Sequence, residues 1–301
     1  MADTTAAHPI VAGIDGSTSA LNAAKWAARE AALRETSLLL VHACDAPAVN
    51  PRSPVSLPRN YADALREYGD DWLRDAHTAV TAAVSDVAPD LEVHTAVEDG
   101  HPAEVLINAA ASAQLVVLGS RGLGGFSSLL IGSVAVAVAG HAPCPVVVVR
   151  GEEGRSTARD PVVVGVDGSV PGDRALGFAF EVAALRDAPL VAVRAWTYAT
   201  IETGWPAVPM EISDDDIAGN ERRLLDQCLA PWQEKYPEVS AEGRVVRGRP
   251  VRTLLAEGAH AQLIVVGSRG RGALAGLGLG SVSQGLLHHA DRPVAIVRVR
   301  P

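Results

Sequence analysis

Residues Leu115 to Ser133 read LVVLGSRGLGGFSSLLIGS, and residues Leu263 to Ser281 read LIVVGSRGRGALAGLGLGS, an offset of 148 with 10 of 19 positions identical. Each copy is a run of branched apolar residues, a glycine-rich loop, and a Gly-Ser pair that opens a new apolar segment. A branched apolar run ending in glycines reads as a buried strand feeding a loop that bends tightly or is closely approached. The Gly-Ser pair reads as a helix start, which puts Ser133 and Ser281 near the N-cap. Strand, glycine loop and helix N-terminus make a phosphate-type site, because free N–H groups and the helix dipole converge there.

The repetition extends outward. Val11 to Ser17, VAGIDGS, matches Val163 to Ser169, VVGVDGS, at an offset of 152. Gly100-His101-Pro102 matches Gly248-Arg249-Pro250, and the segment opening at His141 matches the one opening at His289, both at 148. A long internal repeat decides the architecture: one domain over 1–150, a polar linker over 151–160, and a second domain over 161–301. The difference between the two offsets is expected in the proline-studded segment Asp45 to Arg59. Each half alternates five short β-branched runs with helical patterns. The fold class is therefore α/β: two tandem, doubly wound, five-stranded parallel sheets with helices on both faces.

Bulk properties narrow the function. A formal net charge of −9 argues against a nucleic-acid groove, which needs a basic face. Only Lys25 and Lys235 are lysines, so neither glycine loop carries the lysine of a P-loop. Three cysteines with no CxxC pair fit neither a disulfide framework nor a zinc site. The opening residues MADTTAAHPI lack a basic region and an apolar core, and the apolar stretch Leu129 to Val149 is broken by Ser133, His141, Pro143 and Pro145. No signal peptide or membrane span is expected, and a cytoplasmic protein follows.

In open parallel sheets, ligands sit beyond the carboxyl ends of the strands, where strand order reverses. Gly13-Ile14-Asp15-Gly16-Ser17 and Gly165-Val166-Asp167-Gly168-Ser169 end the first strand of each half, and the glycine loops end the fourth. If those strands are neighbours, a carboxylate faces a phosphate cradle across one crevice. Such a pairing describes a nucleotide site in which Asp15 or Asp167 holds a sugar hydroxyl or Mg²⁺; a plain turn aspartate is the alternative.

The loops also carry a spacing: Gly119-Ser120-Arg121-Gly122, nine residues, Gly132-Ser133, and again Gly267-Ser268-Arg269-Gly270, nine residues, Gly280-Ser281. With the VGVDGS-type first strands and the HAPCPVVVV ending, this G-x2-G-x9-G-S pattern resembles the universal stress protein family, in two tandem copies as in actinobacteria. The resemblance implies strand order 3-2-1-4-5, fifth strands that pair domains, a homodimer, and ATP with Mg²⁺ as ligand. It implies that Asp15 and Asp167 lie near ribose, triphosphate and metal, and that Val41 and Val193 meet adenine through their backbone. Gly119, Gly122, Gly132 and Ser133 would hold ribose and phosphates, as would Gly267, Gly270, Gly280 and Ser281. After Gly-Ser the family often has Val-Ser. The second half keeps Val282-Ser283, whereas the first has Val134-Ala135 and lacks one hydroxyl. Arg121 and Arg269 stand inside the loops, placed for phosphate or for solvent.

Competing motifs fail. Asp-Gly-Ser replaces the Rossmann glycines after the first strand, and no G-x-S-x-G elbow occurs. His141 and His289 stand at the end of a helix before a proline and read as helix C-terminal groups. The five tryptophans read as packing residues. The best reading is an ATP-binding sensor or regulator in stress response, with an unknown protein partner. The alternatives are a slow ATPase and an interaction scaffold with one or both sites empty. The absence of a loop lysine and of a base poised for water favours binding over turnover.

Overall fold

A computed structural model describes residues 8–45, 61–123, 131–150, 157, 159–197, 213–270 and 278–299, without the side chain of Ala62. The chain divides into two compact units, Met1–Val149 and Arg150–Pro301. The first carries β1 (Ile10–Gly13), α1 (Thr18–Leu33), β2 (Leu38–Cys44), α2 (Tyr61–Val84), β3 (Val93–Asp99), α3 (Pro102–Ala109), β4 (Leu115–Gly119), α4 (Ser133–His141) and β5 (Val146–Val149). A short 3-10 turn, Ala110–Ser112, extends α3. The second carries β6 (Val162–Gly165), α5 (Val170–Leu185), β7 (Leu190–Trp196), α6 (Asp214–Lys235), β8 (Ala241–Arg247), α7 (Pro250–Glu257), β9 (Leu263–Gly267), α8 (Ser281–His289) and β10 (Val294–Val297).

The strands form where the sequence is branched and apolar. Ile10, Val11, Leu38, Leu115, Val116 and Val117 are fully buried, as parallel strands covered on both faces must be. Within the first unit the order is β3-β2-β1-β4-β5, and within the second β8-β7-β6-β9-β10, all neighbouring pairs parallel. Strand order reverses between β1 and β4, and between β6 and β9. With right-handed crossovers this puts α1 and α2 on one face and α3 and α4 on the other. Alanine spacing shapes α1: Ala20, Ala23, Ala24, Ala27, Ala28 and Ala31 are all buried, so the helix lies close on the sheet.

The expected position of the length difference is wrong. β1, α1 and β2 correspond to β6, α5 and β7 at 152, and β3 to β8 at 148. Buried Leu73 in α2 matches buried Leu225 in α6, still at 152. The change therefore falls after the middle of α2, in a longer helix and longer connection, not in Asp45 to Arg59. Most of that segment lies outside the described residues, as do Trp205 and most of the linker.

Candidate functional site

The Asp-Gly-Ser turn builds the first wall of the site. Ser17 is the N-cap of α1: its Oγ accepts from the Ala20 N–H at 3.1 Å. Asp15 Oδ1 accepts from the Ser17 N–H at 3.0 Å, so the turn aspartate reading holds. Gly16 carries φ +82, and a Cβ there would stand 2.5 Å from the Trp72 ring. Glycine is required for both reasons.

The opposite wall is the glycine loop. Asp15 Oδ2 reaches across and accepts from the Leu123 N–H at 3.1 Å. A Cβ on Gly122 would collide with that same oxygen. One carboxylate thus joins the end of β1 to the loop after β4. Ser17 Oγ donates to the Arg121 carbonyl at 3.3 Å, and the Arg121 N–H lies 3.4 Å from Ser19 Oγ. Loop residues 124–130 and 271–277 lie outside the described residues.

The helix after the loop begins where the Gly-Ser pair placed it, with the serine next to the N-cap. Gly132, with φ −74 and ψ 145, is the N-cap of α4, and Ser133 is its first residue. Gly280 and Ser281 hold the same places in α8. Among the described residues no side chain caps either helix, in contrast to α1 and α5, which are closed by Ser17 and Ser169. The N-terminus of a helix carries N–H groups without an intrahelical acceptor, and its dipole favours an anion there.

A cavity of about 740 Å³ opens between these walls, within the range of small-molecule sites. All nine sequence-derived residues of the first half line it: Gly13, Asp15, Val41, Gly119, Arg121, Gly122, Gly132, Ser133 and Val134. Val41 is 2% exposed, and its carbonyl accepts from the Ile14 N–H at 2.8 Å, which leaves one lone pair for a ligand. Sequence reading missed Ser17, Ser19, Pro102, Leu106 and Ile131. Ser17 was legible as a helix start; Pro102 and Leu106 reach the cavity only through the crossover of α3. Apolar lining from β2 and α3 and polar lining from the loop give the cavity two characters.

The second unit repeats the Asp-Gly-Ser turn and the approach of its carboxylate to the loop. Gly165 pairs with Val193 in register. Asp167 Oδ1 accepts from the Ser169 N–H at 2.9 Å, and a Cβ on Gly270 would stand 2.6 Å from Asp167 Oδ2. Gly280 packs on Arg269, with 3.3 Å from a built Cβ to the Arg269 Cα. Register between Val297 and Gly267 brings Arg298 beside the loop. Burial, and then the charge of Arg269, hold the Arg298 guanidinium below its ordinary pKa.

Ser283 has a structural task. Its hydroxyl is buried and faces the carbonyls of Gly267 at 2.8 Å and Ser268 at 3.1 Å, so its proton ties α8 to the end of β9. Ala135 in the first half lacks this tie, and the difference concerns loop anchoring first. Ser281 is exposed at the helix start, and Val282 follows it half-buried. His141 bonds the Ala137 carbonyl of its own helix through Nδ1 at 2.8 Å, a C-terminal role.

Metal chemistry has few donors here. Among the described residues no group of three or more His, Cys, Asp or Glu side chains is placed to hold an ion. A Mg²⁺ ion arriving with phosphates fits, since it keeps waters and phosphate oxygens and needs only one or two carboxylates. Asp15 and Asp167 are the carboxylates in place.

Two doubly wound units, each with a helix starting after the fourth-strand loop at the switch point, define a tandem α/β protein. The family model described as "Universal stress protein family" matches residues 7–150 and 158–298. A universal stress protein of Mycolicibacterium smegmatis is 37% identical over 306 residues, covering 100% of both chains. One from Mycobacterium tuberculosis is 36% identical over 96% of each chain. The crystal structure of a universal stress protein from Archaeoglobus fulgidus has a TM-score of 0.71 over 97% of this chain and 98% of that one, at 19% identity, a likeness of fold. The chain belongs to the universal stress protein family, with its domain in tandem. No helix among the described residues is long and apolar enough to cross a membrane.

Proposed function

We propose that the protein binds ATP with Mg²⁺ at the crevice of each unit and acts as a nucleotide-dependent sensor or regulator. The observation that carries this reading is the first cavity, where Asp15, the glycine loop and the uncapped start of α4 converge. Val41 and Val193 offer backbone to the adenine. Gly119, Gly122, Gly132 and Ser133, with their counterparts Gly267, Gly270, Gly280 and Ser281, surround the ribose and phosphates. Binding is favoured over turnover because both oxygens of Asp15 already accept N–H bonds, and His42 in the same lining spends Nδ1 on the Ile14 carbonyl at 2.8 Å. The protein works in the cytoplasm as a homodimer whose partner surface follows occupancy.

Calorimetry with ATP, AMP and GTP, beside a phosphate-release assay, tests the reading. It expects ATP to bind and phosphate release to be absent or slow. Rapid multiple turnovers, lost in the Asp15→Ala, Asp167→Ala protein, would replace the sensor with an ATPase.

A further inference from the structure

The residues on either side of Asp15 are both held by rings from β2 and α2. Ile14, before it, is bonded twice to β2: its N–H donates to the Val41 carbonyl at 2.8 Å, and its carbonyl faces Nδ1 of buried His42 at 2.8 Å. A carbonyl only accepts, so Nδ1 carries a proton and the neutral ring is the Nδ1–H tautomer. Gly16, after Asp15, lies against the Trp72 ring, with 2.5 Å from a built Cβ to that ring. The two rings meet edge to face, at 5.2 Å between centroids and 77°. Gly69 of α2 makes the room for them: a Cβ there would stand 2.4 Å from His42 Cδ2 and 3.1 Å from Nε2. The second unit fills these places with other chemistry. At the offset of 152, Arg194 stands for His42, Glu221 for Gly69 and Leu224 for Trp72. Buried Arg194 donates through Nε to Glu221, so an ion pair takes the place of the two rings.

We infer that His42 is a positioning residue of the first crevice. Through the Ile14 carbonyl, and with Trp72 closing on Gly16, it fixes the turn that presents Asp15 to the cavity. The inference rests on the nucleotide reading above, and His42 acts there through the turn rather than by touching the ligand. The Ile14 carbonyl is the last backbone group before Asp15, so a donor on it sets the plane of the peptide that carries the aspartate. Without that donor the carbonyl is left buried and unpaired, and the turn twists to satisfy it. A histidine kept only to fill volume needs no proton on Nδ1, and leucine would serve as well. A histidine kept for the turn is replaced only by another donor at the same place. Because Arg194 and Glu221 stand in the second unit, a change at position 42 is felt by one crevice alone. Loss of one buried hydrogen bond that acts on the turn weakens that crevice by about threefold to tenfold.

Two readouts test this on the full chain. Nitrogen NMR of protein labelled at histidine, at mildly alkaline pH where imidazole is neutral, reads the tautomer. His42 is expected as the Nδ1–H form; an Nε2–H form overturns the inference, because Nδ1 would then have nothing to donate to Ile14. Calorimetry with ATP and Mg²⁺ reads the consequence at the site. In His42→Leu one binding event is expected to weaken by about threefold to tenfold. His42→Asn puts an amide donor where Nδ1 stood, and it is expected to bring that event back to within about twofold of the wild type. A titration unchanged in His42→Leu overturns the inference. Equal weakening in the Leu and Asn proteins overturns it as well, since His42 would then be a packing residue. If the wild type binds no ATP, the nucleotide reading falls and takes the inference with it. A wild type that binds, beside a His42→Leu protein that binds equally well, removes the inference and leaves the nucleotide reading standing, so the two failures are told apart.

Discussion

Replacing Gly119 with alanine distinguishes a glycine kept for packing from one kept for ligand approach. A Cβ at Gly119 would stand 2.7 Å from the Ser19 carbonyl carbon and Oγ, and 2.8 Å from the Ala20 nitrogen. These are mostly backbone atoms of the first turn of α1, and they cannot rotate aside as a side-chain tip does. Either α1 retreats from β4 or the end of β4 bends, and overpacking of this kind costs about 1–3 kcal/mol. Gly132 is the control. Its Cβ would meet the Ser120 oxygen at 3.7 Å, ordinary contact, with φ at −74. Alanine there loses only a preferred N-cap residue, less than about 1 kcal/mol. With a urea slope of about 2 kcal/mol per molar, Gly119→Ala lowers the first unit's midpoint by about 1 M, and Gly132→Ala by less than half of that. Urea titration followed by Trp72 fluorescence, in a background with Trp26, Trp196, Trp205 and Trp232 replaced by phenylalanine, measures both. A Gly119→Ala midpoint equal to the wild type, or a Gly132→Ala protein more damaged than Gly119→Ala, refutes the packing argument.

Three further outcomes are expected. Ser283→Ala removes the donor shared by the Gly267 and Ser268 carbonyls and destabilises the second unit by about 1 kcal/mol, read by urea titration. Glu35 and Asp187 follow α1 and α5 with φ of 50 and 48, a left-handed conformation that glycine adopts without penalty. Glu35→Gly therefore raises the first unit's stability by about 1 kcal/mol, and an unchanged or lower midpoint counts against this. Burial first, and then the charge of Asp99, push the Cys44 thiol above its ordinary pKa, so little thiolate forms near neutral pH. Half-buried Cys228 is expected to react first with a thiol reagent, and buried Cys44 and Cys144 only on denaturation or, for Cys44, at more alkaline pH.

Repeats and periodicity carried most of the fold, because parallel strands buried on both faces must be continuously branched and apolar. The runs at Leu115 and Leu263 announced themselves for that reason. Hydrogen-bond direction was not legible. Gly-Ser at a helix start reads equally as Ser at the N-cap or Gly at the N-cap, and only backbone angles show that Gly132 and Gly280 hold it. The Ser283 hydroxyl has the composition of a ligand group, yet it faces backward onto β9, which a spacing motif does not encode. The length difference was misplaced because a proline-rich segment looks variable. The pairing of His42 with Gly69 in one unit, and of Arg194 with Glu221 in the other, shows that the register persists well into α2 and α6. Such pairs join residues far apart in sequence and leave no local signal. Asp15 was legible as a turn and site residue, but its grip on Leu123 was not, since it crosses from one strand end to another.

The central claim is that the crevice of each unit holds an adenine nucleotide. The most direct measurement is to denature the purified protein, analyse the released small molecules by mass spectrometry, and then titrate the refilled or emptied protein with ATP and Mg²⁺. The account predicts a bound adenine nucleotide, or saturable ATP binding where purification has stripped it. No released nucleotide and no binding on titration would contradict it and leave an interaction scaffold.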